Sequence, residues 1–491
     1  MRLDEYQWSR NPRGLHVQSI FQTPLPIERY TAMRCGWCKL IAAGYEYVDD
    51  CATLLANGIT PCVRLYMGRW GAAPMNSYWR DIMIAFASVG VKWFEFYNEP
   101  NLDVEWPMGY DPDWRDFEGA IRPLMDNWLS WAEFTINIGG YPGFIPLAES
   151  DNPRYAATRW MDAFLNYLHQ AHRQRFADVL ANGGYCATHP YILNHFYQEV
   201  PGGGPWSARG MREQNAEEGG WHFEYPYDPI CQRSDPGRTV YGGTAQTPNG
   251  DPVGLIAMGR MFNERCAMLF GSQAVPVLGT EGGIWAFRPG VFQQDTRYPP
   301  YDEVSQAQAT AAMFKWISEQ APPWMFGVCL WKEDEYYIPG PVPAIGRLGE
   351  LPVVARNVPA IEVMGTGYAP VVASGGRPVP QYGPGPIQGE ADFHIVLLAP
   401  GLDMSFFFDT ARAYWDRYRP IVTTDLTIID LIPFARSAAI TIITPPELAE
   451  TLRQAATLPY PNAYLDVIET TDIQTVTNLF AARVQVNRRF G

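Results

Sequence analysis

The chain has 491 residues, of which 47% are hydrophobic and 18% charged. This is a globular composition, too long for one ordinary domain and suited to one large barrel plus a smaller unit. The 37 basic residues against 52 acidic ones give a formal net charge of −15, which disfavours nucleic acid as a partner.

No apolar run is long enough to cross a membrane, and the first residues lack the apolar core of a signal peptide. We therefore expect a chain that is cytoplasmic, or secreted with its signal already removed. Cys35 and Cys38 have the spacing of a redox or metal motif, but no second ligand pair accompanies them. Buried free thiols are the expected state.

Short apolar runs alternate with longer helical patterns over the first ~340 residues, which predicts parallel strands joined by crossover helices. The eight predicted strands are His16–Phe21, Trp37–Ala42, Pro61–Tyr66, Trp93–Tyr97, Phe144–Leu147, Ile192–Tyr197, Val275–Gly279 and Phe326–Trp331. The predicted helices are Tyr45–Asn57, Ser77–Ser88, Trp114–Thr135, Tyr155–Asn182, Gly254–Gly271 and Val304–Gln320. Eight such units in succession predict a closed (β/α)₈ TIM barrel over residues 1–348.

Two predicted connections are longer than the ~2–6 residues usual in α/β units. Gln198–Asp251 follows the sixth predicted strand and Ala286–Asp302 follows the seventh. Long loops at the carboxyl ends of barrel strands usually build a binding cleft or a lid. We expect these loops to wall the substrate site, with surface insertion as the alternative.

Residues 349–390 are rich in Val, Pro and Gly without a helical period, which predicts a linker or an extended arm laid over the barrel. Residues 391–491 again alternate strands and helices and are expected to form a small α/β domain. This domain lacks a nucleotide-binding loop, so its role is left open. Docking onto the barrel, self-association and contact with another protein are the possibilities.

The strongest chemical signal is the segment Trp93–Leu102, with the sequence WFEFYNEPNL. Pro100 ends the fourth predicted strand directly after Glu99, which places that carboxyl at the mouth of the barrel. The seventh predicted strand delivers Glu281 to the same mouth. Gly282 and Gly283 follow it and are expected to leave room for a ligand close to the backbone.

Two carboxyl groups facing each other across a barrel mouth suit the hydrolysis of a glycosidic bond. In a retaining enzyme they stand ~5–5.5 Å apart, one protonating the leaving oxygen and the other attacking as a carboxylate. We expect Glu99 and Glu281 to supply these two carboxyl groups. Such a reaction needs no metal and no organic cofactor.

Other strand ends supply candidate substrate-binding residues. His195 and Tyr197 close the sixth predicted strand, where Tyr197 is placed to hydrogen-bond the nucleophile and His195 a sugar hydroxyl. Trp331 closes the eighth strand and is expected to form the apolar floor for one sugar ring. Trp285 is expected to line the cleft. Ordinary packing at the barrel end is the alternative for Trp331.

Arg64 lies on the third predicted strand and is a candidate to face the barrel interior. It is expected to fix Asn98 or Glu281 by charge-assisted hydrogen bonds. An internal ion pair is the alternative.

These residues resemble glycoside hydrolase clan A. The stretch FEFYNEPNL is similar to the acid/base motif of that clan, especially of its xylosidase- and iduronidase-like family, while NHFY and VCLWKEDE resemble segments of its cellulases. The resemblance covers residues 1 to 345 and transfers no single substrate class. It implies that Asn98 binds the 2-hydroxyl, that Glu99 is the acid/base and Glu281 the nucleophile, and that Tyr197 orients Glu281. We therefore expect a retaining enzyme that acts on a β-linked oligo- or polysaccharide.

Two other functions are kept open. A non-catalytic carbohydrate-binding or structural protein on a glycosidase-like barrel would be marked by the loss of one carboxyl group, and both are present. A metal-dependent barrel enzyme would need histidine or carboxylate clusters at several strand ends. Only His189 and His195 are expected near each other at the mouth, so no metal site is predicted.

Overall fold

The structure is a computed structural model in which two compact units are distinguished. It describes residues 1–17, 24–150, 152–193, 237, 239–240, 244–245, 254–285, 303–332, 336, 343–368, 391–425, 428, 432, 437–457 and 463–491. One unit comprises Met1–Pro74 with Ile82–Arg377, and the other Met75–Asp81 with Pro378–Gly491. The sequence-based boundaries at residues 348 and 390 stay predictions.

Eight parallel strands of the first unit close into a barrel in the order β1-β10-β8-β6-β5-β4-β3-β2. They are β1 (Arg13–His16), β2 (Trp37–Ala42), β3 (Thr60–Leu65), β4 (Trp93–Glu95), β5 (Tyr141–Phe144), β6 (Tyr185–Thr188), β8 (Val277–Gly279) and β10 (Met325–Leu330). All eight are buried along their whole length, which explains why they read as near-continuous apolar runs rather than alternating ones. The predicted barrel is confirmed.

Helices follow most of these strands. They are Ile27–Ala32, Val48–Ala56, Ser77–Ser88, Arg122–Asn137, Ala157–Ala181, Ala257–Phe270, Glu303–Glu319 and Ala344–Glu350. A π-helical turn, Phe117–Ile121, leads into the fourth of them, and Pro123 near its start fits a position where the backbone N–H has no helical partner. The buried side chains of the helix Arg122–Asn137 recur at helical spacing and include Leu124, Trp128 and Trp131.

The barrel interior is filled by a layer of aromatic rings with an ion pair two residues further along the strands. Trp37 and Trp93 meet edge to face with ring centroids 4.9 Å apart, and the Trp93 indole donates to the Gln7 carbonyl at 2.9 Å. Lys39 and Glu95 come two positions later on the same strands and bond to each other while fully buried. The inward-facing positions of the alternate strands β2 and β4 thus share common layers.

The predicted sixth strand, Ile192–Tyr197, is wrong. The sixth barrel strand is β6, and the chain turns at Pro190 before β7 (Tyr191–Leu193), which pairs in parallel with β9 (Gly283–Trp285) outside the barrel. The β-branched and aromatic run after the turn carried a stronger strand signal than Tyr185-Cys-Ala-Thr188, whose small residues follow two glycines. Residues 194–197 lie outside the described residues.

Two more strand predictions miss their bounds. The predicted Phe144–Leu147 shares only Phe144 with β5, because Pro142 and Gly143 weakened the signal of the true strand. The predicted His16–Phe21 shares only His16 with β1, and residues 18–23 lie outside the described residues. The long loops Gln198–Asp251 and Ala286–Asp302 also lie outside them, apart from residues 237, 239–240 and 244–245.

Residues 351–364 form an extended segment that bonds to several parts of the first unit. Leu3 donates its backbone N–H to the Ile361 carbonyl at 2.9 Å, and Arg356 donates to the Arg10 carbonyl at 2.8 Å. Met364 forms an isolated antiparallel bridge with Ser272. Residues 369–390, the rest of the predicted linker or arm, lie outside the described residues.

The second unit contains a four-stranded sheet in the order β12-β11-β13-β14, with all pairs parallel. Its strands are β11 (Phe393–Leu398), β12 (Ile421–Thr423), β13 (Ala438–Ile443) and β14 (Tyr464–Ile468), and its helices are Met404–Tyr418, Pro446–Thr457 and Ile473–Gln485. Side chains of β11 alternate between two separate cores, Ile395 and Leu397 in one and Val396 and Leu398 in the other. The short, partly exposed β12 was not predicted.

The cysteines of the described residues carry no disulfide. Seven of them, Cys35, Cys38, Cys51, Cys62, Cys186, Cys266 and Cys329, are buried and free. Burial raises the pKa of the Cys38 thiol well above its ordinary value, which leaves it unreactive. The expectation of buried thiols at Cys35 and Cys38 is confirmed. Among the described residues, no helix is both long and apolar enough to span a bilayer.

Candidate active site

The barrel brings the carboxyl groups of Glu99 and Glu281 together. Glu99 lies four residues after the end of β4, and Glu281 lies two residues after the end of β8. A carboxyl oxygen of Glu99 lies within 4.8 Å of one of Glu281. The Glu281 side chain is 7% exposed and that of Glu99 is 15% exposed. The two groups therefore face each other in a largely dry site.

Glu281 is held by donors on both carboxyl oxygens. Arg64 donates from Nη1 to Oε1 at 2.6 Å, and the Tyr191 hydroxyl donates to Oε2 at 2.8 Å. Burial raises the pKa of Glu281, but the charges of His189 and Arg64 lower it more strongly, so that it lies well below its usual range. Glu281 is therefore ionised at neutral pH.

His189 bridges the two glutamates. Its Nδ1 lies 2.6 Å from Glu99 Oε1 and 3.8 Å from Glu281 Oε2, and its side chain is fully buried. Burial lowers the pKa of His189, but the negative charges of Glu281 and Glu99 outweigh it and the net shift is upward. Since a carboxylate only accepts, His189 Nδ1 is the donor of this contact.

His16 faces Glu281 from β1. Its Nδ1 lies 2.7 Å from the Val17 carbonyl, which only accepts, so Nδ1 carries a hydrogen. Burial lowers the pKa of His16 more than the nearby Glu281 raises it, which keeps the ring neutral. Its Nε2 is then an acceptor, 3.5 Å from Glu281 Oε1 and without a hydrogen-bond partner in the described structure.

A chain of polar contacts runs from Glu281 through Arg64 to Glu105. Arg64 donates to the Asn98 side-chain oxygen as well as to Glu281, the two residues to which the sequence analysis linked it. Asn98 Nδ2 donates to Glu105 Oε1 at 2.6 Å. Burial raises the pKa of Glu105 despite the opposing effects of Asn98 and Arg64. Arg64, Asn98 and Glu105 border a cleft of about 410 Å³.

The structure describes only some of the remaining predicted site residues. Trp331 follows β10 directly, and its ring centroid lies 6.0 Å from that of Tyr191, edge to face. Trp285 ends β9, and its side chain lies outside the described structure. His195 and Tyr197 lie outside the described residues, so their predicted contacts stay predictions.

Sequence reasoning missed His189 and Tyr191 as partners of the glutamates, because it placed the sixth strand too late. A signal was present: Pro190 follows His189 immediately, just as Pro100 follows Glu99 at the end of the fourth strand. A proline directly after a polar residue marks the point where a barrel strand ends at the mouth.

Gly282 is required by the backbone around it. Its φ is +140°, and a Cβ there would lie 2.6 Å from the Pro190 carbonyl oxygen. Gly283 then donates its N–H to the same carbonyl at 3.0 Å. The sequence analysis expected these glycines to leave room for a ligand. The space beside Gly282 is taken by the turn that carries Tyr191 to Glu281.

One ligand atom from each of Glu99, His189 and Glu281 lies within 4.8 Å of the others, a set that could hold a metal ion. The guanidinium of Arg64, 2.6 Å from Glu281, and the raised pKa of His189 both oppose a further cation there. The residues therefore fit a hydrogen bond from His189 to Glu99 better than a metal ion.

No protein-family model and no curated protein matches the chain. Among solved structures, a GH128 (subgroup III) curdlan-specific exo-β-1,3-glucanase of Blastomyces gilchristii is similar at 13% identity and a TM-score of 0.33, over 69% of this chain and 97% of that one. A rice β-glucosidase is similar at 14% identity and a TM-score of 0.29, over 62% and 77%. A Bifidobacterium dentium β-glucuronidase is similar at 12% identity and a TM-score of 0.34, over 70% and 47%. At these TM-scores the similarity does not identify a function for this chain. We therefore infer the function from the geometry of the site.

Proposed function

We propose that the chain is a retaining glycoside hydrolase that cleaves a β-linked oligo- or polysaccharide, with Glu99 as acid/base and Glu281 as nucleophile. One observation carries the proposal: carboxyl oxygens of the two residues lie within 4.8 Å of each other at the mouth of the barrel. Retaining enzymes hold their carboxyl groups ~5–5.5 Å apart, whereas inverting ones leave ~6.5–9.5 Å for a water molecule.

The environments of the two carboxyl groups support a division of roles. Glu281 is ionised and oriented by Arg64 and Tyr191, as an attacking carboxylate must be. Glu99 is more exposed, and its carboxyl group contacts His189 Nδ1 at 2.6 Å. A proton held at that contact is available to the leaving oxygen of a substrate.

The reaction proceeds in two displacements. Glu281 attacks the anomeric carbon while Glu99 gives its proton to the departing oxygen, so that a glycosyl ester forms on Glu281. Glu99, now a carboxylate, takes a proton from a water molecule that attacks the same carbon and releases Glu281. His189 stabilises the charge that moves onto Glu99 between the two steps.

Tyr191 takes the orienting role that the sequence analysis gave to Tyr197. Its hydroxyl bonds to Glu281 Oε2, and burial raises its pKa well above the ordinary value, so it remains a donor throughout the cycle. Asn98 is proposed to bind the 2-hydroxyl and Trp331 to form the floor under one sugar ring. We also propose that His195 binds a sugar hydroxyl, that Trp285 lines the cleft, and that Arg64 serves substrate binding by holding Asn98 and Glu281 in place.

The test compares Glu281→Ala and Glu99→Ala with the wild type on aryl β-glycosides of good and poor leaving groups. Glu281→Ala should lose at least about a thousandfold in kcat on all of them. Glu99→Ala should lose far more on poor leaving groups than on good ones, because a good leaving group needs little protonation. The control is Glu319→Ala, an exposed helix-end glutamate, which should leave the rates unchanged.

The anomer released first, followed by NMR, decides the stereochemistry, and the β-anomer is expected. First release of the α-anomer would replace the nucleophile role of Glu281 with that of a general base. Sugar binding without turnover of any glycoside by the wild type would favour the non-catalytic carbohydrate-binding alternative.

A further inference from the structure

The 410 Å³ cleft beside the catalytic pair contains a carboxyl group that the proposed mechanism does not use. We call this cleft the Glu105 pocket; its lining includes Arg64, Tyr66, Trp70, Tyr97, Asn98 and Glu105. Glu105 ends a short 3₁₀ turn, Asp103–Glu105, in the segment after β4. Asn98 and Pro100, which line the cleft, flank Glu99 in the chain, so a third carboxyl group lies near the proposed catalytic pair.

Glu105 has no basic partner in the described part of the chain. Its carboxyl group accepts one bond, from Asn98 Nδ2 at 2.6 Å, and no Lys, Arg or His nitrogen there lies within the 4.0 Å of an ion pair. Its residue is only partly exposed. Withdrawing a carboxyl group from water without a counter-charge is unfavourable, so stability alone does not account for this placement.

Among the carboxyl groups around Arg64, Glu105 is the one that has no basic partner in the described part of the chain. The carboxyl groups that act on the Arg64 charge belong to Glu281, Glu95, Glu105 and Glu99. Lys39 pairs with Glu95, Arg64 with Glu281, and His189 with Glu99. Arg64 is thus hydrogen-bonded to the proposed nucleophile, and among the described residues no other cation pairs with Glu105, which leaves its carboxyl group open to a cationic ligand.

Aromatic side chains line the same pocket. Tyr66 is 43% exposed, and Trp70 and Tyr97 also contribute to the lining. Ring faces stack on the apolar face of a sugar and also attract ammonium groups. A carboxylate among such rings suits a ligand that is both a sugar and a cation.

We propose that the Glu105 pocket recognises an amino sugar, with the ammonium group on the carbon next to the anomeric centre paired to Glu105. This inference rests on the proposed function, because Asn98, the bonding partner of Glu105, is the side chain proposed to read that ring position. The substrate class then narrows to β-linked 2-amino-2-deoxy glycosides with a free amine.

The test measures kcat/KM on the 4-nitrophenyl β-glycosides of 2-amino-2-deoxyglucose and of glucose at pH 6, where the amine is charged. The wild type should prefer the amine by about tenfold or more, the effect of one well-formed charged hydrogen bond. Glu105→Gln keeps an oxygen for Asn98 but removes the charge, so the preference should fall to within about twofold of unity. Asp103→Asn, an exposed neighbour in the same turn, should keep the wild-type ratio.

Binding of free D-glucosamine, D-glucose and N-acetylglucosamine, followed by NMR on the same proteins, gives a readout without turnover. Glucosamine should bind tightest to the wild type and lose its advantage in Glu105→Gln, while the uncharged N-acetylglucosamine gains none. Glu105-dependent glucosamine binding without hydrolysis would overturn the catalytic proposal and leave this one standing. Equal wild-type preference for amine and hydroxyl, in binding and in kcat/KM, would overturn the amino-sugar assignment even where hydrolysis is retained.

Discussion

Glu99 and Glu281 are chemically identical residues whose surroundings differ. Glu281 has a donor on each carboxyl oxygen and two further basic groups nearby, whereas Glu99 contacts His189 in the described structure. The difference in charge around them, rather than residue type, assigns one to attack and the other to proton transfer.

Tyr191→Phe tests how far the donors set the ionisation of Glu281. The pKa of Glu281 is depressed, so the group is ionised above that pKa and activity is lost as pH falls through it. Removing the 2.8 Å hydroxyl donor raises this pKa, so the acidic limb of the kcat/KM profile should move to higher pH. At neutral pH we expect a loss of roughly 10- to 100-fold, the worth of a hydrogen bond to a charged group.

Tyr78→Phe, which removes an exposed hydroxyl, should leave the same profile in place. An acidic limb of Tyr191→Phe that coincides with that of the wild type would show that Arg64 and His189 depress the pKa of Glu281 without help from Tyr191.

At the scale of elements, the sequence predicted five of the eight barrel strands well, missed the bounds of the first and the fifth, and placed the sixth wrongly. Strands with a polar residue and a proline at their carboxyl end, such as the one before Glu99, were found with their functional residue. The sixth was lost because Tyr185–Thr188 is short and contains small residues, while the apolar segment after the turn resembles a strand. That single misplacement hid His189 and Tyr191 and directed attention to His195 and Tyr197.

Asn101 shows how loops at the mouth are held in place. It is fully buried, donates from Nδ2 to the carbonyls of Ala148 and Tyr155 at 2.7 Å each, and accepts from the Ala148 N–H at 3.1 Å. One side chain therefore ties the segment after β4 to the segment after β5. In the sequence, Asn101 was noticed only as part of the segment Trp93–Leu102, because its hydrogen-bond partners are about fifty residues away.

Asn101→Ala should lower the free energy of unfolding by about 1–3 kcal/mol, because it leaves buried backbone groups without partners. Urea unfolding of the full chain measures the change. Asn57→Ala removes an exposed amide at the end of a helix and should change the free energy by less than about 0.5 kcal/mol. A similar small change for both variants would mean that water replaces the bonds of Asn101.

At the scale of the whole molecule, each of the two units has a core of its own. Most helices and strands of the second unit were predicted from their alternation, since each strand is a short apolar run between turn residues. What the sequence could not show is a buried polar chain across that sheet. His394 Nε2 lies 2.9 Å from Thr441 Oγ1, which donates to Asp466, and Arg483 pairs with Asp466 through two bonds.

The buried His394 in this row of polar contacts makes the stability of the second unit depend on pH. Burial lowers the pKa of His394 to about 3, helped by the positive charges of Arg489 and Arg483 and opposed by Asp466. Because the Thr441 hydroxyl donates its hydrogen to Asp466, its oxygen accepts a hydrogen bond from Nε2 of the neutral His394 ring. An unfolded histidine titrates near pH ~6.5, so between the two values the unfolded chain binds a proton that the folded one does not. The contribution of His394 to the free energy of unfolding therefore does not depend on pH above the unfolded pKa of ~6.5. As pH drops from there toward the folded pKa of about 3, it falls by roughly 1.4 kcal/mol for each pH unit.

His394→Phe should therefore flatten this dependence. Phe fills a similar volume, and Thr441 keeps its bond to Asp466, so the fold should be retained at neutral pH. Calorimetry of the full chain between pH 7 and pH 4 should show a smaller fall in Tm for the variant than for the wild type, whereas His169→Phe in the first unit should keep the wild-type slope. If His394→Phe lost stability with falling pH as steeply as the wild type, the acid sensitivity of the chain would arise from its carboxylates and not from this buried ring.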